Sequence, residues 1–299
     1  MPASPGPAAN SQARRSRKRA LLIPMNRWTE LARARTSTGD DLVLRERAGC
    51  LELRCNGWEL MSNRAHYSEE RLAALACEHI GLRTGDSHGR TAEPHVPHVL
   101  IGGLGLGFTL RAALDCLPQS ARVTVAELLP EIIAWNHGVL APLTGHVLFD
   151  PRVSVACADI AALLQAAAPA TFDAILLDTD NGPESVMLSR NVALYHPKTL
   201  RLIRRVLRPA GPLAVWSADP SPRFEDHLRS AGFQWSAHGV PARGSPDDPL
   251  HTIYLAWSTI GMRRVDFSSG KWDPSLNVDS ADDRARARGL APRAEEGQP

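Results

Sequence analysis

Five acids and a run of glycines carry the chemistry open to this chain. Gly102-Gly103-Leu104-Gly105-Leu106-Gly107 follows a short apolar stretch, His98 to Ile101. Glycines there let the backbone turn sharply and lie bare against a ligand. A helix starting just behind them presents free N–H groups. Glu127 stands 22 positions after Gly105, at the end of the next β-like segment, where a carboxylate can accept both hydroxyls of a ribose. Asp159 follows a third such segment; it could accept from an adenine amino group or simply cap the next helix. Asp178 closes a fourth segment, Phe172 to Leu177, and Asp180 lies just beyond it. A carboxylate at 178 could take a proton from an attacking amine. Asp180 and Glu184 could face a cationic acceptor, although Asn181-Gly182-Pro183 is also ordinary turn chemistry.

These residues share one position, the carboxyl end of a strand. The predicted strands are His98 to Ile101, Arg122 to Ala126, Val153 to Ala156, Phe172 to Leu177 and Leu213 to Trp216, with two more near Phe233 to His238 and Thr252 to Ala256. Helices are expected between them, at Phe108 to Leu117, Pro130 to His137, Ile160 to Ala168 and Ala193 to Val206. Such alternation implies an α/β fold, a mainly parallel seven-stranded Rossmann-like sheet with helices on both faces. Ligands of such sheets sit where the strand order reverses, which also brings Ser217 and Asp219 near the pocket. A dinucleotide fingerprint would need its last glycine at 108, which is Phe108; Gly-x-Gly-x-Gly suits the pocket of a mononucleoside methyl donor better. Ahead of this domain, alternating residues and the hairpin signal Asn56-Gly57 predict a small antiparallel β unit. Ser68 is placed as the cap of the helix that follows.

The expected organisation is a disordered basic tail over 1–25, a small β unit over 26–66, a helix and linker over 67–95, a nucleoside-binding catalytic domain over 96–260 and a mostly disordered tail over 261–299. The chain has 299 residues, 43% hydrophobic and 22% charged, with net charge +2, so no strong field favours nucleic acid or a membrane as partner. Its five cysteines form no C-x-x-C pair, which suits a reducing compartment. The apolar stretch Ala20 to Ile23 ends at Pro24, too short for a leader core or a membrane span. The reading is a cytoplasmic protein. His95-x-x-His98 and the acids around Thr179 do not make a metal set, and no metal is expected.

The residues resemble class I methyltransferase-fold proteins and, within them, the spermidine synthase-like branch of polyamine aminopropyltransferases, over about residues 40 to 257. His98 to Arg111 aligns without gaps on that family's Gly-Gly-Gly-Asp-Gly-Gly loop. Glu127-Leu-Leu-Pro-Glu131 is similar to its acidic segment, Tyr67-Ser-Glu69 to its Tyr-His-Glu, and Leu194-Tyr195 and Leu207-Arg208-Pro209-Ala210-Gly211 to later landmarks. The resemblance implies S-adenosylmethionine or its decarboxylated form as co-substrate, a small amine as acceptor, and a homodimer. It places Gly103, Gly105, Gly107, Glu127 and Asp159 against the donor and Asp178 and Asp180 in catalysis. Two departures stand out. Leu106 takes the place of the loop Asp that holds the donor's amine, which tilts the expectation toward methyl transfer from ordinary S-adenosylmethionine. The family's Asp-x-x-Asp-Pro is altered to Asp178-Thr179-Asp180-Asn181-Gly182-Pro183. The alternatives are a true aminopropyltransferase and a non-catalytic nucleoside-binding regulator.

Overall fold

The computed structural model describes residues 27–85, 95–179, 181–184 and 189–258. The two tails, most of the linker and Asp180 lie outside them.

The chain opens with β1 (Thr29–Arg35), β2 (Asp41–Arg47), β3 (Cys50–Cys55) and β4 (Trp58–Ser62), an antiparallel meander in that order. Period-two alternation turns Leu42 and Leu44 of β2 and Leu53 of β3 into the core. Asn56 and Gly57 both have positive φ, 50° and 85°, the backbone that a type I′ hairpin requires. The β unit expected from the sequence is thus present, and its first strand, β1, carries the weakest sequence signal. That strand, Thr-Glu-Leu-Ala-Arg-Ala-Arg, is a largely exposed edge with few β-forming residues.

Helix α1 (Tyr67–Gly85) leads from this meander. Ser68 lies inside its first turn rather than before it, because the first helical bond runs from Glu70 N–H to His66 O. Then come β5 (His98–Gly102), α2 (Phe108–Cys116), β6 (Arg122–Glu127), α3 (Pro130–His137), β7 (Val153–Cys157), α4 (Ile160–Ala166) and β8 (Ala174–Leu177). After them follow α5 (Pro197–Val206), β9 (Leu213–Ser217), α6 (Pro222–Ala231), β10 (Gln234–Pro241) and β11 (Leu250–Trp257). The helix expected from Ala193 begins instead at Pro197, preceded by a 3-10 turn over Ser189–Tyr195. Proline disfavours helical backbone in the residue before it and suits the first helical position.

The larger sheet has the order β10-β11-β9-β8-β5-β6-β7. Strands β7, β6, β5, β8 and β9 run parallel, and β11 is antiparallel to both β9 and β10. Its middle strands are buried on both faces, as a parallel sheet covered by helices demands. Alternate residues of β5 separate the two cores. Val99 and Ile101 pack on the side of α1 and α2, and Leu100 on the side of α4 and α5. Strand β5 pairs with β6 on one flank and β8 on the other, so the winding reverses between β5 and β8. The loops after those two strands therefore diverge and leave a crevice.

Candidate active site

A cleft of about 400 Å³ opens at this reversal. Its floor is the turn after β5. Gly103 donates its N–H to Ala126 O (2.9 Å), and Asp178 N–H donates to Gly102 O (2.9 Å). The ends of β5, β6 and β8 are thereby tied together. Gly103 has φ +87°, and a Cβ on it would lie 2.2 Å from the carbonyl oxygen of Asp178. Backbone cannot yield there as a side-chain tip can. Gly103→Ala should lower stability by about 2–4 kcal/mol, the range for a strained special position with a core clash. A denaturant titration checks it; a midpoint equal to the parent's would show that this turn is not rigid.

Glu127 ends β6 and is buried. Its Oε2 accepts from Leu104 N–H (2.9 Å) and its Oε1 from Leu129 N–H (2.8 Å). Burial raises its pKa while those amides oppose the rise. A carboxylate oxygen has more than one acceptor direction, so the pair of oxygens can hold the loop and still receive ribose hydroxyls. Asn136 of α3, unnoticed in the sequence, donates to Gly105 O (2.9 Å) and fixes the second glycine. A lone amide on an otherwise apolar helix face was the available signal. Asp159 caps α4 through Ala161 N–H (2.8 Å) and also lines the cleft. Gly103 and Gly105 line it too, whereas Gly107 is the left-handed residue ahead of α2 and borders a smaller neighbouring cavity.

At the far wall stands Asp178. Thr109 Oγ1 donates to its Oδ2 (2.5 Å). Enclosure raises its pKa to about 6, with the Thr109 bond pulling the other way. Beside it Glu69, buried in the first turn of α1, is pushed up to about 8 by burial and by the charge of Asp178. Enclosure and mutual repulsion thus favour a proton held on one of the two over a doubly ionised pair. Tyr195 donates from its hydroxyl to Thr179 O (2.9 Å) and steadies the loop behind Asp178. Leu60, Met61 and Ser62 of β4 form the roof, and Trp216 and His251 close one end. The cleft thus brings Gly103, Gly105, Glu127, Asp159 and Asp178 together. Glu69, Trp216 and His251 join them from distant parts of the chain. Among the described residues no group of three or more His, Cys, Asp or Glu is arranged to hold a metal ion, and no helix is long and apolar enough to cross a membrane.

Three-dimensional comparison places this architecture. A spermidine synthase from Thermotoga maritima superposes with a TM-score of 0.58 over 77% of this chain and 72% of its own, at 17% identity. It is a spermidine synthase-like fold. A spermidine synthase bound to the transition-state analogue AdoDATO gives 0.59 over 77% and 73%, at 16% identity. The spermidine synthase-like sheet carries its small antiparallel sheet at the N-terminus here as well. In sequence, polyamine aminopropyltransferase 2 of Streptomyces coelicolor is 33% identical over 171 residues, 54% of this chain and 30% of the relative. Polyamine aminopropyltransferase 2 of Ralstonia nicotianae is 32% identical over 156 residues, 49% and 29% respectively. The matched part is thus under a third of those relatives' own length. No family model matches the chain.

Proposed function

We propose that the chain transfers an aminopropyl group from decarboxylated S-adenosylmethionine to a small amine, a diamine by preference. The observation that carries this reading is the charge of the cleft. Glu59, Glu69, Glu127, Asp159 and Asp178 line it, and no Lys or Arg does so among the described residues. Two like charges 4 Å apart at an effective dielectric near 20 repel by about 4 kcal/mol. A donor bearing a carboxylate is opposed here, and one bearing only ammonium and sulfonium charge is welcomed.

This replaces the leaning toward methyl transfer, which rested on Leu106. That side chain is 2% exposed, packs into the core and borders the small cavity rather than the main cleft. The charge missing at 106 is supplied by Glu69 and Asp178. The names of the relatives and of the superposed structures support the same reaction.

The chemistry asked of the protein is modest. The carbon beside the sulfonium is already electrophilic. The acceptor nitrogen must lose a proton, approach in line and form its C–N bond as the C–S bond breaks, leaving the pair on sulfur. Glu127 and the Gly103–Gly105 backbone hold the nucleoside, and Asp178 takes the proton. Titration calorimetry with both donors tests the reading. The decarboxylated donor should bind at least about tenfold more tightly, about 1.4 kcal/mol, and a diamine should gain an aminopropyl group by mass. Tighter binding of ordinary S-adenosylmethionine, with methylated product, would restore the methyl alternative.

A further inference from the structure

Aminopropyl transfer to an ammonium releases one net proton per turnover, and Asp178 receives it at the enclosed end of the cleft. An exit is built beside it. Ser68, fully buried, places its Oγ 2.6 Å from Glu69 Oε2, 2.9 Å from His251 Nδ1 and 3.0 Å from the donating Nε1 of Trp216. Ser68 and His251 are 183 positions apart in sequence. The Trp216 ring also stands edge-on to the His251 ring, centroids 4.7 Å apart. We propose that Ser68 relays the proton released in transfer from Glu69 to His251, from which it leaves to solvent. The proposal rests on the transfer reading above.

The hydroxyl chemistry fixes how this works. A serine oxygen offers one hydrogen and two acceptor directions. Trp216 can only donate, so it occupies one of the latter. One hydrogen and one acceptor direction remain for Glu69 and His251. In one state protonated Glu69 donates to Ser68, and Ser68 donates to bare Nδ1. In the other, Ser68 donates to Glu69 carboxylate and accepts from protonated Nδ1. Passing from the first to the second moves two hydrogens by one bond each and carries one proton from Glu69 to the imidazole. His251 is partly exposed and lines the open cleft, so its Nε2 proton can pass to solvent. The emptied Glu69 then takes the proton of Asp178 through cleft water, since the two carboxyls share no direct hydrogen bond, and a flip of the His251 ring restores a bare Nδ1 for the next turnover. Ser68 touches no substrate in this scheme; it is a positioning residue acting through Glu69.

The charges facing the chain are few. Glu69 faces Asp178 from the end of β8 and His66 from just ahead of its own helix, and His251 faces Asp219 from the loop after β9. Burial lowers the pKa of His251, so the ring rests neutral and sheds a relayed proton readily.

The test begins without ligand, by ¹⁵N NMR of the histidine side chains across pH 6 to 9. His251 should change from the Nε2–H to the Nδ1–H tautomer as Glu69 ionises, and the change should vanish in Glu69→Gln and in Ser68→Ala. One unchanged His251 curve in all three proteins overturns the relay, whatever the activity. With decarboxylated donor and a diamine, Ser68→Ala and His251→Phe should lower kcat about tenfold, below the ordinary range for a direct acid–base group, and leave both KM values near the parent's. Added imidazole should restore His251→Phe and not Ser68→Ala. His251→Phe keeps the ring and the Trp216–Ser68 bond, so it still decides the matter if Ser68→Ala fails to fold. A kcat equal to the parent's in His251→Phe refutes the relay. A parent with the tautomer change but no transfer from either donor refutes the transfer reading and leaves the hydrogen-bond chain standing.

Discussion

Asp178→Asn should reduce transfer by about a hundredfold to ten-thousandfold, the usual worth of a positioned acid–base group, while affinity for the uncharged thioether nucleoside left after transfer stays within about threefold, under ~0.7 kcal/mol. The substitution is nearly isosteric. Thr109 can still donate its hydroxyl to the amide oxygen, so the 2.5 Å contact has a successor. The N–H of residue 178 still donates to Gly102 O. What disappears is the negative charge, and with it the ability to accept a proton. Calorimetry and turnover on the same preparation separate the two effects. An Asp178→Asn protein that turns over like its parent would remove Asp178 from the mechanism.

The same carboxyl sets a pH dependence. Asp178 works as a base only when ionised, and burial holds its pKa near 6. Activity should therefore rise from pH 5 to 7 with a midpoint near that value. The Thr109 bond favours the ionised form, so Thr109→Val should move the midpoint upward. A midpoint moving down would mean that the titrating group is another one.

Much of this site was legible in the sequence because its parts sit at strand ends. A glycine-rich turn, an acid at the end of β6 and an acid at the end of β8 are local signals, and each was readable from spacing and chemistry. The strand order was not. Nothing in the residues of β11 says that it slots between β9 and β10, yet that insertion carries His251 to the cleft. Glu69 belongs to the Tyr67-Ser-Glu69 resemblance, yet sequence assigns it no role, because a first-turn glutamate ordinarily offsets the helix dipole. Only the packing of α1 against the strand ends shows it beside Asp178. Alignment alone reads Leu106 as a pocket position, whereas the left-handed glycines on either side of it, Gly105 and Gly107, turn its side chain into the core. Asp180 lies outside the described residues and remains a proposed acceptor contact.

Glu127→Gln should be the most damaging change to donor binding. Both oxygens of Glu127 are committed to backbone amides, Leu104 N–H and Leu129 N–H. A glutamine keeps one oxygen and replaces the other with NH₂, which must face an N–H donor. Whichever way the amide turns, one buried donor loses its acceptor, at about 1–3 kcal/mol. Leu104 lies between the two glycines of the nucleoside turn, so a flipped amide loosens the turn itself. The ribose hydroxyls also lose a charged acceptor, and hydrogen bonds to charged groups are worth about 1.5–3 kcal/mol each. One such bond is a factor of roughly ten to a hundred in affinity. Both donors should suffer alike, since both carry the same ribose, and the preference for the decarboxylated form should survive. That separates Glu127 from Glu69 and Asp178, whose charges act on the donor's tail. Calorimetry with both donors on Glu127→Gln reads the two quantities together. Equal binding to the parent would place the ribose elsewhere, and a lost preference would show that Glu127 supplies the discriminating charge.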